Sequence, residues 1–377
     1  MKLENKILVA GLAFLVIMSG FVFLYLEEND DILQGKADFQ LQYSYVVKNE
    51  GSLNLTRVSI RLALLKSWEP VQEVKGIQIS VPPNFTTTDE YNNSFIQYDF
   101  TDFQVNQTFK VTIKANVTLN LLDYVNANLK IFPYDENDPL YKLFMAYNPL
   151  EDTTDPAVQS VAGTFPDSDN PLDIAYLSYN FSSTYIRYKL LSQIRGASFA
   201  LRNGYGDCDE YTTLFIALSR ARGIPAIEHT AWLADFATGF NGTDDGAAAH
   251  AYPMFYVKGV GMLPADPTRG NTNFFDNWLK TDEKRITLTR GPDKPYRHLS
   301  YRWIPKANIS DPTVFNEYRI VVNSLEISYF SKTRSAVFIV LNAIPVLFVV
   351  YSTLAGRRAY LAKQAKLRKI LMEDIIE

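Results

Sequence analysis

The sequence predicts a protein of the α+β class, with a folded region held between two membrane-spanning helices. Residues 7–26 and 336–356 are apolar runs without a charged side chain, and each has the length of a helix that crosses a bilayer. Between them, residues 36–122 alternate apolar and polar side chains with the period of β-strands, whereas helical patterns begin near Asp155. Strands followed by helices indicate the α+β class.

The two apolar runs are predicted to be membrane anchors. The run 7–26 is long for a signal peptide and no A-x-A site follows it, so an uncleaved anchor is favoured over cleavage. A buried core helix is the alternative for the second run, but its length and the flanking Arg357 and Arg358 favour a span. The resulting segments are a cytoplasmic tip with its anchor, a second span and a basic cytoplasmic tail, at residues 1–29, 335–356 and 357–377.

Basic residues predict the orientation of the two spans. Lys2 and Lys6 precede the first, and six lysines and arginines follow the second, a bias that marks the cytoplasmic side. We therefore expect a two-pass protein of the cell membrane, with both termini in the cytoplasm and residues 27–335 outside. Eight N-x-S/T sequons all lie in that outer region, which agrees with this orientation.

Composition narrows the function classes. Cys208 is the single cysteine, which excludes an intrachain disulfide, a cysteine-based zinc finger and Cys-x-x-Cys redox chemistry. Three histidines in the whole chain argue against a histidine-rich metal site, and no metal or other cofactor is predicted. The formal net charge is −4 at pH 7 although both tails are basic, so the outer region is acidic. An acidic surface argues against nucleic acid as a partner.

The first part of the outer region is predicted to be an antiparallel β-sandwich over residues 30–125. In the run from Phe109 to Leu121, odd-numbered positions are apolar or small and even-numbered positions are polar, as in a half-buried strand. The turn signals NEG, PPN and YNN separate similar runs. A proline-rich, acidic linker is expected over residues 126–154, and a second domain over residues 155–330.

The only thiol lies at the start of a predicted helix, in the stretch GDCDEYTTLFIALSRARGIPA (206–226). Asp207 and Glu210 have the spacing of a capping box, which makes Cys208 the first helical residue. Gly223 then ends the helix. The free N–H groups and partial positive charge of a helix N-terminus favour a thiolate and can receive an oxyanion.

Two considerations oppose a reactive thiol at this position. Asp207 and Asp209 disfavour the thiolate by like charge, so a cationic partner such as a protonated histidine is needed. A lone cysteine is also commonly a small buried apolar residue, and that interpretation applies to Cys208 when its helix is considered alone.

A base and an orienting acid are predicted downstream. His250 opens the apolar run AYPMFYV, a glycine-rich turn follows, and a second short run ends at Asp266. Two antiparallel strands joined by that turn would bring the imidazole and the carboxylate together. A carboxylate fixes the tautomer of a histidine and stabilises its charged form. With Cys208 at a helix start, these residues compose a Cys-His-Asp arrangement for nucleophilic catalysis.

Three blocks in this order resemble the transglutaminase-like superfamily of papain-like thiol enzymes. They are a helical lead-in from about residue 155, GASFALRNGYGDCDEYTTLFIALSRARGIPA (196–226) and HAYPMFYVKGVGMLPADPT (250–268). The resemblance implies a papain-like transglutaminase core, in which helices pack on an antiparallel sheet after the β-sandwich domain.

The resemblance also implies a thiol acyl-transfer enzyme on the outer face of a membrane. Cys208 would attack a carbonyl, His250 would take and return the proton, and Asp266 would orient His250. We expect a cysteine protease or amidase that acts on envelope proteins or peptides. A protein-crosslinking transglutaminase is one alternative, and a non-catalytic binding or structural surface module is another. The substrate stays undetermined because three pocket positions depart from the family pattern, at Ile227, Tyr252 and Met262.

Overall fold

The computed structural model describes most of the region between the two predicted spans. The described residues are 32–233, 241–244, 249–269, 277–292, 299–305, 314–329, 356–358 and 361–362. The predicted spans lie outside them, except for Gly356, so the two anchors and the orientation remain predictions. Within the described part of the chain, no helix is long and apolar enough to cross a bilayer. Residues Ile32–Tyr329 make up one compact unit.

The N-terminal part of this unit consists of strands. They are β1 (Leu33–Asn49), β2 (Leu55–Leu64), β3 (Gln72–Ile79), β4 (Phe85–Thr88), β5 (Ser94–Phe103) and β6 (Thr108–Leu122). In β6, Val111 and Ile113 are fully buried whereas Lys110 and Lys114 are exposed. The alternation predicted for this run is therefore confirmed.

The remainder of the unit mixes short helices and strands. The helices are α1 (Pro139–Phe144), α2 (Pro156–Ala162), α3 (Pro171–Tyr185), α4 (Ala197–Asn203) and α5 (Cys208–Ala221), with 3-10 turns at Pro149–Glu151 and Pro267–Arg269. The strands are β7 (Arg187–Tyr188), β8 (Tyr205–Gly206), β9 (Ala226–Leu233), β10 (Asn241–Asp244), β11 (Ala249–Val257), β12 (Gly261–Pro264), β13 (Arg285–Arg290), β14 (Leu299–Pro305) and β15 (Val314–Tyr329). Strands and helices occur in separate layers, as the predicted α+β class requires.

Two antiparallel sheets share one core and form the predicted sandwich. One sheet has the order β10–β15–β1–β6–β3 and the other β14–β2–β5–β4. Tyr43, Ile60, Tyr98 and Ile113 come from both sheets and belong to the same buried apolar cluster. Each large apolar side chain buried in this cluster contributes ~1.5–3 kcal/mol to stability. The inward-facing apolar positions of the alternating strands therefore stabilise the packing of the two sheets.

The sandwich also takes strands from the C-terminal end of the compact unit. β14 pairs antiparallel with β2, and β15 pairs antiparallel with β1 along most of its length. The structure therefore divides residues 155–330, which the sequence predicts to belong wholly to the second domain, between the sandwich and the second core. Strands adjacent in sequence are usually neighbours in a sheet, and a strand pattern does not reveal a more distant partner.

Helix α5 lies at the centre of the second core. One side packs on the antiparallel sheet β12–β11–β9–β13, where Phe215 meets Phe255. The other side packs on α2 and α4, where Leu214 and Val158 share a cluster. Because every residue from Glu210 to Arg220 is buried, the helix gives the residue at its N-terminus a rigid base.

Residues 126–154 are ordered against the second core, which the prediction of a linker did not anticipate. The Tyr134 hydroxyl donates to the carbonyl of Tyr256 at 2.5 Å. Arg220 near the end of α5 forms a buried ion pair with Glu151, with Nη1 and Oε2 2.7 Å apart. A buried arginine needs a counter-charge, and this segment supplies it.

Candidate active site

The predicted nucleophile is the first residue of α5. The Asp207 carboxylate accepts the Asp209 N–H at 3.2 Å, and the Glu210 carboxylate accepts the Asp207 N–H at 3.1 Å. This is the capping box that the sequence predicts, and it fixes where the helix starts. Cys208 keeps a small exposed surface although the protein packs closely around its thiol.

A glycine and a buried glutamate hold the turn before Cys208 in place. The Glu210 carboxylate also accepts the N–H groups of Arg195 and Gly196, at 2.7 and 3.3 Å. A β-carbon on Gly206 would lie 2.2 Å from the β-carbon of Glu210, so no larger residue fits there without movement. Burial raises the pKa of Glu210 to about 7. The thiol is therefore carried on a turn with little freedom to move.

The predicted base and acid lie on β11 and just after β12. His250 and Asp266 are 5% and 3% exposed, and His250 Nε2 is 2.7 Å from Asp266 Oδ2. β11 and β12 are antiparallel neighbours, which is how the glycine-rich turn brings the two residues together. Because an ionised carboxylate only accepts hydrogen bonds, the neutral imidazole carries its proton on Nε2 and has Nδ1 as its basic atom.

The thiol is adjacent to the histidine in space. The backbone N–H of Ala251, the residue after His250, lies close enough to the Cys208 sulfur to lower the pKa of the thiol. The charge of Asp266 also reaches the thiol. The structure thus gathers the three predicted residues into one cluster, built from the start of a helix and two neighbouring strands.

The surroundings of Cys208 favour the protonated thiol at rest. Burial raises the pKa of this thiol well above its usual value, the charge of Asp209 raises it further, and the nearby N–H of Ala251 lowers it. The effect of the helix N-terminus expected from the sequence is therefore outweighed. Attack on a carbonyl needs a proton acceptor at that moment, and Nδ1 of His250 is suited to this role.

Arg285 is a part of the site that the sequence analysis missed. Its Nε and Nη2 atoms donate to Asp266 Oδ2 at 3.0 and 2.6 Å, and the guanidinium is buried. Burial alone would raise the pKa of Asp266, but the charges and hydrogen bonds of His250 and Arg285 hold it well below its usual range. No local signal marks Arg285, because β13 reads as an ordinary alternating strand with Ile286 and Leu288 in the core.

Tyr252 lies beside the imidazole and fixes part of its surroundings. The rings of His250 and Tyr252 are nearly parallel, with centroids 6.3 Å apart and planes 9° from each other. The Tyr252 hydroxyl is 2.8 Å from Thr287 Oγ1. Tyr252, where the sequence departs from the family pattern, is buried. It therefore packs beneath the site and does not form part of its exposed surface.

A short parallel strand pair borders the nucleophile. β7 pairs with β8 so that Tyr188 is opposite Gly206, two residues before Cys208. The Lys189 N–H donates to the Gly206 carbonyl at 2.8 Å. Since successive residues of a strand direct their N–H and C=O groups to opposite edges, those of Tyr188 face away from β8.

Exposed apolar side chains lie on β7 and just after it. Tyr188 and Leu190 are 59% and 78% exposed. The segment is held in place because the Leu191 N–H donates to the Asp207 carboxylate at 2.8 Å. β7 and β8 form a two-stranded sheet among the described residues, so no described strand pairs with the outer edge of β7.

One group of potential metal ligands occurs among the described residues. Ligand atoms of Asp207, Cys208 and Asp209 lie within 4.8 Å of one another. The Asp207 oxygens already accept the N–H groups of Asp209 and Leu191, as expected for a helix cap. Capping explains this grouping without a metal ion.

Comparison with known proteins agrees with the family resemblance. Residues 159–267 match the family model of the transglutaminase-like superfamily, so the family inferred from the sequence is confirmed for this region. No curated protein matches the sequence. A candidate cysteine protease from Cytophaga hutchinsonii has a similar structure, with a TM-score of 0.51 and 14% identity over 79% of this chain and 91% of that chain. At this identity the likeness shows the fold alone.

A more distant likeness is to the periplasmic domain of TgpA from Pseudomonas aeruginosa. That structure is 15% identical over 64% of this chain and 92% of that chain, with a TM-score of 0.33. A TM-score this low supports no conclusion about the present chain.

Proposed function

We propose that this chain, in which residues 159–267 form a transglutaminase-like domain, is a thiol acyl-transfer enzyme that hydrolyses amide bonds in proteins or peptides. One observation carries the proposal: His250 Nε2 is 2.7 Å from Asp266 Oδ2, and the next residue, Ala251, lies close enough to the Cys208 sulfur to lower the pKa of the thiol. A nucleophile, a base and an orienting acid are thereby available in one place.

Acylation starts from the neutral thiol. As the Cys208 sulfur attacks the carbonyl carbon, His250 Nδ1 takes the thiol proton, and Asp266 stabilises the imidazolium through Nε2. The charge that develops on the carbonyl oxygen is met by N–H groups at the start of α5, the backbone N–H of Cys208 among them. The C–N bond breaks, the amine leaves with the proton from His250, and a thioester remains.

Hydrolysis completes the cycle. A water molecule gives a proton to His250 Nδ1 and attacks the thioester, after which the sulfur leaves and takes the proton back. An amine in place of water would join two chains, which is the reaction of a crosslinking transglutaminase. The two reactions share every residue named here and differ in the acceptor alone.

An extended peptide fits the strand edge beside the nucleophile. The outward-facing N–H and C=O of Tyr188 can pair with a substrate as a third strand next to β7. The exposed side chains of Tyr188 and Leu190 suit an apolar residue of that substrate. The substrate class in this proposal is therefore a peptide, or an unstructured protein segment, with an apolar residue near the scissile bond.

The proposal places the site outside the cell. Residues 7–26 and 336–356 anchor the chain in the cell membrane, residues 27–335 lie outside, and both termini are cytoplasmic, on the strength of the apolar runs and their basic flanks. Because Cys208 is the sole cysteine, a membrane-impermeant maleimide reports its side directly. Labelling of intact cells is expected, and labelling only after lysis would reverse the orientation.

A non-catalytic binding module with the same fold is the second candidate. The observation that favours it is the raised pKa of the Cys208 thiol, since an inert buried cysteine shows the same property. Such a module would bind peptides along β7 without turning them over.

The experiment is a peptide-cleavage assay with the full chain and a mixture of extended peptides, read by mass spectrometry. New carboxyl termini are expected with the wild type and not with Cys208→Ser, and His250→Ala should be slower by about 10²–10⁴-fold. Asp167→Asn, at a fully exposed side chain, is the matched control and should match the wild type. Isopeptide-linked products would instead indicate crosslinking, and binding without product would favour the binding module.

A further inference from the structure

The Asp266 carboxylate does not serve His250 alone. Its Oδ2 atom is 2.7 Å from His250 Nε2, and it also accepts two hydrogen bonds from Arg285, at 3.0 and 2.6 Å. The other oxygen accepts the Thr268 N–H at 3.0 Å. A histidine and an arginine thus share one oxygen atom inside a buried site.

The charge of Arg285 acts against protonation of His250. A carboxylate beside a histidine favours the imidazolium, and through it a thiolate on the neighbouring cysteine. A guanidinium bonded to the same oxygen lies within the range of about 4–6 Å over which a like charge opposes protonation. Because Arg285 is buried, water screens this repulsion little. The guanidinium therefore offsets much of the effect of the carboxylate.

Other ionisable groups surround this network. Those that face Cys208, His250 or Asp266 from the packed elements are Asp207 and Asp209 at α5, Tyr179 of α3, Tyr188 of β7, Tyr252 of β11 and Asp282 before β13. Lys280 lines the same small cavity as Asp266 but is paired with Asp123 at 3.2 Å. In the described part of the chain, Arg285 is the cation that contacts Asp266.

We propose that Arg285 is a positioning residue that keeps Cys208 and His250 in the neutral thiol–imidazole state by sharing the Asp266 carboxylate. The proton then moves when a substrate carbonyl is present to take up negative charge, so the resting thiol is protected from adventitious electrophiles. Its catalytic meaning rests on the proposed function, whereas the proton balance is a property of the chain without substrate.

Asp282 provides a matched variant of opposite sign. It pairs with Arg285 Nη1, on the side of the guanidinium away from Asp266. Removal of the Arg285 charge leaves two carboxylates uncompensated. Asp266, which bonds His250 directly, then favours the imidazolium more than its charge opposes the thiolate, to which it is not bonded, so the balance moves towards the imidazolium–thiolate pair. Removal of the Asp282 charge leaves Asp266 and Arg285 as a neutral pair, which favours the thiol. A loss of packing alone would move both variants in the same direction.

The test is the rate of alkylation of Cys208 by iodoacetamide against pH in the full chain, which has one thiol. Arg285→Gln is expected to lower the pH midpoint of alkylation by about 1 unit or more. Arg285→Lys keeps the positive charge and should stay within a few tenths of a unit of the wild type. Asp282→Asn should raise the midpoint. Thermal unfolding of each variant shows whether it is folded.

An unshifted midpoint in folded Arg285→Gln, or a downward shift in Asp282→Asn, would overturn the proposal. If Arg285→Gln does not fold, the sign of the Asp282→Asn shift decides alone. No substrate is used, so the result is independent of the proposed function. If the chain cleaves no peptide but the midpoints shift as expected, the role of Arg285 stands and the proposed function fails. If the chain cleaves peptides but the midpoints do not shift, the proposed function stands and the role of Arg285 is refuted.

Discussion

The neighbours of Cys208 have opposite effects on its proton. The helix N-terminus and the Ala251 N–H favour a thiolate, whereas burial and the carboxylate of Asp209 favour the thiol. The thiol prevails in the resting chain, so reactivity depends on proton transfer to His250 during attack. A position at a helix start is therefore necessary for this chemistry but does not by itself make the cysteine reactive.

Glu210 gives a prediction at the same scale. Its pKa is raised to about 7 by burial, so the folded state holds a proton that the unfolded state releases near the ordinary pKa of about 4.3. This contribution to stability is full at low pH and is lost as the pH rises through about 7. We expect the wild type to lose roughly 2–3 kcal/mol from this source between pH 5 and 8.

The variant Glu210→Gln tests this prediction by urea unfolding at pH 5 and pH 8. At pH 5 the variant should be less stable than the wild type by about 1–3 kcal/mol, because the amide nitrogen of the glutamine faces a backbone N–H. At pH 8 the difference between the two proteins should be smaller, because the wild type has lost its own contribution from Glu210. His229, whose pKa burial lowers to about 3, titrates alike in both proteins and cancels. Glu73→Gln on the surface is the control. An equal deficit at both pH values would contradict the prediction.

At the scale of elements, β7 is the strand that we propose to bind the substrate. The strand is only two residues long, yet its register with β8 fixes Tyr188 opposite the turn that carries the thiol. Tyr188 on the strand and Leu190 just after it are exposed. An exposed strand edge is a liability unless it has a partner, and a peptide substrate is the partner that we propose.

Leu190→Ser should weaken peptide turnover without affecting the thiol. Loss of an apolar contact worth about 1–2 kcal/mol predicts a rise in KM of roughly 5–30-fold, with kcat little changed. Steady-state kinetics on the cleaved peptide measure this, and Leu140→Ser on α1, also exposed, is the matched control. Equal KM values for the two variants would show that the segment at β7 and Leu190 does not bind the substrate.

At the scale of the whole compact unit, the sandwich and the second core are joined. Trp232, on β9, lies in the sandwich core with its ring centroid 5.0 Å from that of Tyr43. Gln72, on β3, bonds both backbone groups of Thr287 on β13, at 2.8 and 2.9 Å. The strand that begins with Arg285 is therefore braced by the sandwich, which links this layer to the geometry of the site.

Local patterns in the sequence predict much of this arrangement. The capping box at Asp207 and Glu210 placed Cys208 at a helix start, and the structure has that helix. The glycine-rich turn predicted the approach of His250 to Asp266, which the structure also has. These features depend on residues close in the chain, so their spacing carries the information.

Long-range features were not predictable in the same way. Arg285 contacts Asp266 because β13 pairs with β9 in the sheet of the second core. In the sandwich, β15 pairs with β1 although the two strands lie at opposite ends of the unit in sequence. Neither pairing leaves a trace in the local alternation of apolar and polar residues. The burial that raises the pKa of Cys208 has the same origin, since it depends on elements distant in sequence that pack around the thiol.

The first turnover of p-nitrophenyl acetate by the full chain at pH 7 reports directly on Cys208 and His250. A small ester needs the nucleophile and the base but not the β7 edge. The account predicts a burst of about one equivalent of p-nitrophenolate, with acetylation of Cys208, slowed by 10²-fold or more in folded His250→Ala. Equal rates in the two proteins would show an ordinary thiol and contradict the Cys208–His250–Asp266 mechanism.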